Sequence, residues 1–147
     1  MEKLKLGITG SRYGFNENQF DNFYDIIEKL KLTFNIIEFH HGVCKGIDEQ
    51  SHFIIRDLII DCKIIGHSPE NQSFISLKAF KDLDIKYHKY PYLIRNKNIV
   101  DKVDLLIAIP NTNDEIIRSG TWSTIRYAKK KNKKIIIIYP NKIEYNN

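Results

Sequence analysis

Short, β-branched apolar runs alternate along the chain with segments whose apolar residues recur every three or four positions. This is the arrangement expected of a mostly parallel sheet covered by helices on both faces. The runs are Leu4 to Thr9, Asn35 to Phe39, Cys62 to Gly66, Ile85 to His88, Asp104 to Ile109 and Lys134 to Tyr139, so about six strands are predicted. The last holds Ile135, Ile136, Ile137 and Ile138 in succession, which suits a strand buried on both sides. Between the first two runs, Phe20, Phe23, Tyr24, Ile27 and Leu30 keep helical spacing, and Asn16 with Gln19 makes a capping-box signature ahead of them. Ile47 to Ile60, Ser73 to Lys81, Leu93 to Lys102 and Thr121 to Lys131 read as further helices. The expected fold is α/β: a Rossmann-like three-layer sandwich forming a single domain over residues 1–140, with a polar tail at 141–147 that frays.

Composition narrows the picture a little. A chain of 147 residues with 42% hydrophobic content has room for one core and little for a second. Lys and Arg number 23 against 18 Asp and Glu, a net charge of +5, which favours anionic partners such as nucleotides or nucleic acid and equally describes a soluble basic surface. Cys44 and Cys62 stand alone, with no CxxC spacing and no His pair at ligand distance, so both are expected as reduced thiols. His40, His41 and His52 lack the carboxylate or Cys spacing that would complete a metal site, and neither a metal nor a cofactor is expected. The sequence opens directly on a strand and holds no apolar run long enough to span a bilayer, so a cytoplasmic location without membrane contact is expected.

In an open α/β sheet, ligands bind where strands end and helix N-termini offer free N–H groups to anions. Four clusters fall at such ends. Gly10, Ser11 and Arg12 leave the first strand: the glycine lets a ligand approach the backbone, the serine offers a hydroxyl and the arginine a phosphate partner. His41, Gly42, Lys45 and Gly46 follow the second strand, with Asp48 placed to cap the next helix. Arg95 and Asn96 open the helix before the fifth strand, where Arg95 would clamp a phosphate. After the fifth strand, Arg118 leads into Ser119, Gly120, Thr121 and Thr124, small and hydroxyl-bearing residues suited to a phosphate or ribose. Trp122, just inside that helix, reads as core rather than as a stacking platform.

The order and spacing of these clusters resemble the SLOG superfamily, which includes the DNA-processing protein A family and the Lonely Guy phosphoribohydrolases. Gly10-Ser11-Arg12 is similar to the opening motif of the DNA-processing family. The run from His41 to His52, containing Gly42, Lys45, Gly46, Ile47 and Asp48, is similar to its Ser-Gly-Gly-Ala-Arg-Gly-Ile-Asp-x-x-Ala-His segment. Arg95-Asn96-Lys97-Asn98-Ile99 resembles Arg-Asn-Arg-x-Ile, and Ser119-Gly120-Thr121 with Thr124 resembles the Ser-Gly-Ser/Thr loop. The likeness runs from Leu4 to Pro140 and looks closest to the short, stand-alone YspA-type branch. It implies binding of a nucleotide or nucleotide-derived ligand, as a sensor or sequestering module, and a possible homodimer.

Two other functions follow from the same residues. A nucleotide N-glycosidase of the Lonely Guy kind is the first, yet the glutamate of that family's Pro-Gly-Gly-x-Gly-Thr-x-x-Glu motif falls here on Thr124, which leaves Asp48, Asp114 and Glu115 as candidate catalytic carboxylates. Single-stranded nucleic-acid binding is the second, motivated by the net charge and the Lys129-Lys130-Lys131 run.

Overall fold

Every strand among the described residues joins one sheet. The computed structural model describes residues 1–146 and contains β1 (Glu2–Gly10), α1 (Glu17–Thr33), β2 (Phe34–His41), α2 (Ile47–Leu58), β3 (Lys63–Gly66), α3 (Leu77–Asp82), β4 (Ile85–Lys86), α4 (Tyr92–Lys102), β5 (Leu105–Ile109), α5 (Gly120–Lys130), β6 (Lys134–Ile138) and β7 (Ile143–Asn146). The strand order is β4-β3-β2-β1-β5-β6-β7, parallel throughout except for β7, which runs antiparallel to β6.

Alternation along the central strands sorts side chains between two cores. Leu105, Ile107 and Ile109 of β5, with Ile136 and Ile138 of β6, join Phe23, Ile26 and Ile27 of α1 and Ile47 and Ile55 of α2. Leu106, Ala108, Ile135 and Ile137 face the other way and meet Ile99 and Val100 of α4 and Trp122, Ile125 and Ala128 of α5. The three layers of the predicted sandwich are therefore present, and Trp122 is a core residue whose indole N–H donates to Thr112 Oγ1 at 3.2 Å. Helix α1 starts as its sequence predicts: Asn16 Oδ1 accepts from Gln19 N at 2.7 Å and Gln19 Oε1 from Asn16 N at 3.1 Å.

Two expectations are corrected. The tail does not fray between residues 143 and 146: Tyr139 N donates to Lys142 O at 2.9 Å, closing a turn that returns the chain along β6 as a seventh strand. Tyr139 Oη donates to Glu144 Oε1 at 3.2 Å and Lys129 Nζ lies 3.5 Å from Glu144 Oε2, which pins that edge. Asn147 lies outside the described residues. Strand β2 also runs two residues further than Phe39, because His40 and His41 are both buried and continue its alternation.

The turn into α2 rests on one glycine. Gly46 has φ of +88°, and a Cβ there would collide with the backbone of Arg12. Gly46→Ala is expected to destabilise the fold by at least about 2 kcal/mol, through left-handed strain and this collision, read as a lowered urea midpoint. An unchanged midpoint would show that the two loops do not touch.

Candidate functional site

The winding of the sheet reverses at β1: β2, β3 and β4 lie to one side and β5 and β6 to the other. At such a reversal the loops leaving adjacent strands part in opposite directions and open a crevice beyond their carboxyl ends. A cleft of about 550 Å³ lies there, lined from Ile8 through Tyr13, by Gly42, Cys44 and Asp48, by the first turn of α4 and by the start of α5, a volume within the usual range for small-molecule sites. The β1–α1 loop forms its floor, since Ser11 N donates to Ile109 O at 3.2 Å and Ser11 O accepts from Ile47 N at 2.9 Å. Gly10 allows this crossing: a Cβ there would meet Ile47 Cγ2 at 2.5 Å.

Arg95 is the best-anchored charge of the site. Its Nη1 donates to Gly42 O at 2.5 Å and to His67 O at 3.0 Å, while Nε donates to Asn96 Oδ1 at 2.7 Å. Among the described residues the one hydrogen-bond partner of Nη2 is the Cys44 sulfur, at 4.0 Å, so donor capacity remains on the cleft side. Asp48 is buried beside it and accepts from Cys44 N at 3.2 Å. Burial pushes its carboxyl up to about 6, against the pull of Arg95 and of the Cys44 and Gly42 amides. A carboxyl that titrates near neutrality in a cleft is a group able to exchange protons with a ligand. The expected helix cap is corrected here: Gly46 is the N-cap, and Asp48 sits in the first turn of α2.

At the far side, Ser119 Oγ accepts from Trp122 N at 3.3 Å. The N–H groups of Gly120 and Thr121, in the first turn of α5, have no intrahelical acceptor, and nothing lies within 4 Å of a Cβ built on Gly120. Both residues line the cleft, where N–H groups of this kind can donate to an anion.

The structure thus gathers Gly10, Ser11, Arg12, Gly42, Asp48, Arg95, Asn96, Ser119, Gly120 and Thr121 around one opening. Lys45, Gly46, His41 and Thr124 lie outside its lining. Lys45 is exposed and tied through its backbone to Phe74 O at 2.8 Å. Gly46 packs under Arg12, and Thr124 donates to Gly120 O within its own helix at 2.9 Å. Asp114 and Glu115 do not line the cleft either, and Glu115 is paired with Arg126 at 2.6 Å.

His41 has a different job. Val43 N donates to its Nδ1 at 2.9 Å, so the ring proton sits on Nε2 and is donated to His52 Nδ1 at 2.8 Å; His52 Nε2 then donates to Asp82 Oδ2 at 2.8 Å. Each ring is held neutral and in one tautomer. A parallel pair lies on the other face of β2, where His40 Nε2 donates to Glu38 Oε1 and Nδ1 accepts from His67 Nε2, both at 2.8 Å. Burial dominates all four: His40, His41 and His52 are lowered, His41 well below its ordinary value, and His67 falls to about 3 with His40 and Arg95 adding to the effect. The imidazoles bind one another, and among the described residues no group of three metal-ligating side chains is disposed around a cation.

Between these bonds sits Val43, with φ of +61°. A β-branched residue in the left-handed region costs about 1–3 kcal/mol, and it is held by His41 Nδ1 and by Ser76 N, which donates to Val43 O at 2.8 Å. This strained peptide separates Gly42 from Cys44, both at the cleft wall. Sequence reasoning also missed Tyr13, Phe74, Tyr92, Asn71 and Asn111 as cleft residues. Phe74 arrives through the bridge of Cys44 to Ile75, a long-range contact without a local signal; Tyr13 and Tyr92 adjoin predicted residues and were within reach.

No family model matches the chain. Among solved structures, the X-ray structure of TM1055, a structural genomics target, superposes on 92% of this chain and 72% of its own with a TM-score of 0.56 and 16% identity. The fold is Rossmann-like. At that identity the likeness is one of architecture. A leucine–tRNA ligase of Prochlorococcus marinus (strain MIT 9301) is 25% identical over a gapped alignment of 148 positions that takes in 88% of this chain but only 17% of the ligase. No helix among the described residues is long and apolar enough to cross a membrane.

Proposed function

We propose that the chain binds a nucleotide or nucleotide-derived ligand in the switch-point cleft and acts as a sensor or sequestering module. The observation that carries this reading is the charge of the lining: Arg12, Arg95 and Arg118 against Asp48 alone, with the open first turn of α5 among them. Arginines and helix N-termini are the groups that hold phosphate, and the resemblance to SLOG proteins points to the same ligands. Calorimetric titration with mononucleotides, dinucleotides and cyclic nucleotides is expected to give saturable binding by at least one of them. Heats of dilution alone across the whole panel would remove the proposal.

The buried carboxyl of Asp48 favours one alternative, hydrolysis of a nucleotide N-glycosidic bond, in which it would serve as the acid–base group. The release of free base, lost in Asp48→Asn, would select that alternative. Nucleic-acid binding draws no support from Lys129, Lys130 and Lys131: they sit at the C-terminal end of α5, about 15 Å along the helix from the cleft.

A further inference from the structure

We infer that the cleft has a second, aromatic subsite that seats a flat heterocyclic ring, so that its ligand is a base-bearing nucleotide rather than a sugar phosphate or a bare polyphosphate. The inference rests on the nucleotide reading above and extends it to the other end of the opening. Tyr13, Phe74 and Tyr92 reach the cleft from three separate segments: the β1–α1 loop, the β3–α3 loop and the first turn of α4. Tyr13 is 73% exposed and Phe74 40%, although folding normally covers side chains of this size. The Arg12 guanidinium stands 4.2 Å from the Phe74 ring centre and 5.5 Å from that of Tyr13. Aromatic faces with a guanidinium laid against them form the type of wall on which bases stack.

Polar groups around this end suit a heterocycle better than a hydrocarbon. Asn71 Oδ1 accepts from Ser73 N at 3.0 Å and Asn96 Oδ1 from Arg95 Nε at 2.7 Å. Both amides are thereby oriented, with their NH₂ groups left to donate to the ring nitrogens or carbonyl oxygens of a base. The open amides of Gly120 and Thr121 belong to the other half of the cleft, beyond β5. A ligand with an anionic end and an aromatic end would occupy both halves.

The test compares adenosine, guanosine, cytidine and uridine 5′-monophosphates with ribose 5-phosphate by calorimetry, on the wild-type chain and on Phe74→Ala and Tyr92→Ala. At least one nucleotide is expected to bind tenfold or more tightly than ribose 5-phosphate to the wild type, the range of one base–aromatic stack. Phe74→Ala should cut that ratio by about tenfold, with ribose 5-phosphate as the internal reference and the melting temperature as the check on folding. Equal affinity for all five compounds in the wild type would overturn the aromatic subsite while leaving phosphate binding intact. A preference for one nucleotide that survives both substitutions would overturn it too, by placing the base elsewhere. Absence of binding by every compound would overturn this inference, while the titrations with dinucleotides and cyclic nucleotides decide the reading on which it rests.

Discussion

Lowering the pH from 6.5 to 4.5 is expected to destabilise the folded chain by at least about 1 kcal/mol, read from urea unfolding curves at fixed ionic strength. The sign follows from the direction of each shift. His67 is lowered from 6.5 to about 3 in the fold, so the unfolded chain takes up a proton that the folded chain refuses, and stability present above pH 6.5 is lost as the pH falls. Two pH units in that window correspond to roughly 3 kcal/mol from this group alone, at about 1.4 kcal/mol per unit. His40, His41 and His52 are lowered as well and act in the same sense. Asp48 opposes them: raised from 3.8 to about 6, it contributes stability that is present below pH 3.8 and lost as the pH rises through 6, so it returns about 2 kcal/mol over the same interval. Asp82 and Asp84 are lowered from 3.8 and titrate below the window. His67→Gln should flatten the profile. With the opposing carboxyl removed, an Asp48→Asn chain whose stability is level from pH 6.5 to 4.5 would mean that the imidazoles accept protons freely, and the paired neutral rings would have to be abandoned.

Arg95→Met is expected to cost roughly 3–5 kcal/mol of stability, the usual penalty for removing one partner of a buried polar network, and to lower the melting temperature by about ten degrees for a chain of this size. Methionine keeps most of the aliphatic volume, so the loss isolates the guanidinium. Without it, the Gly42 and His67 carbonyls lose the donor that joins them, and the Asp48 carboxyl loses its adjacent cation. Arg95→Lys should recover only part of the loss, because a single ammonium cannot reproduce the fork that spans Gly42 O, His67 O and Asn96 Oδ1. Both variants should also weaken anion binding. A melting temperature within two degrees of wild type for Arg95→Met would show that this arginine does not tie the strand ends together.

The layers of the fold were legible because the signal is local. Uninterrupted apolar runs such as Leu105–Ile109 mark strands buried on both faces, and helical stripes such as Phe23, Ile26 and Ile27 mark the buried side of a helix, without reference to any distant residue. Much of the cleft lining was legible for a related reason: Gly10, Ser11, Arg12, Arg95 and Ser119 to Thr121 adjoin element ends, where the rules of α/β sheets place ligands. The short β7 lacked enough residues for a pattern and was read as tail, although its edge pairing is clear in three dimensions.

Side-chain direction in the loops was beyond local reading. Lys45 and Arg95 look alike as candidate phosphate ligands in the sequence, yet Lys45 points to solvent and Arg95 into the cleft, because α4 packs against β1 while the residue after Gly42 turns left-handed. His41 has the appearance of a ligand residue, but its place in β2 turns it towards α2 and His52.

The amino-acid order by itself determined the alternation of strands and helices, the two-sided burial of the central strands and the loops that carry glycine and arginine, since each depends on residues a few positions apart. Tertiary structure alone decided which of those side chains share a cleft, which imidazoles hydrogen-bond to one another and where Phe74 meets Arg12. Such meetings join segments tens of residues apart, and their geometry is fixed only when the whole sheet is assembled.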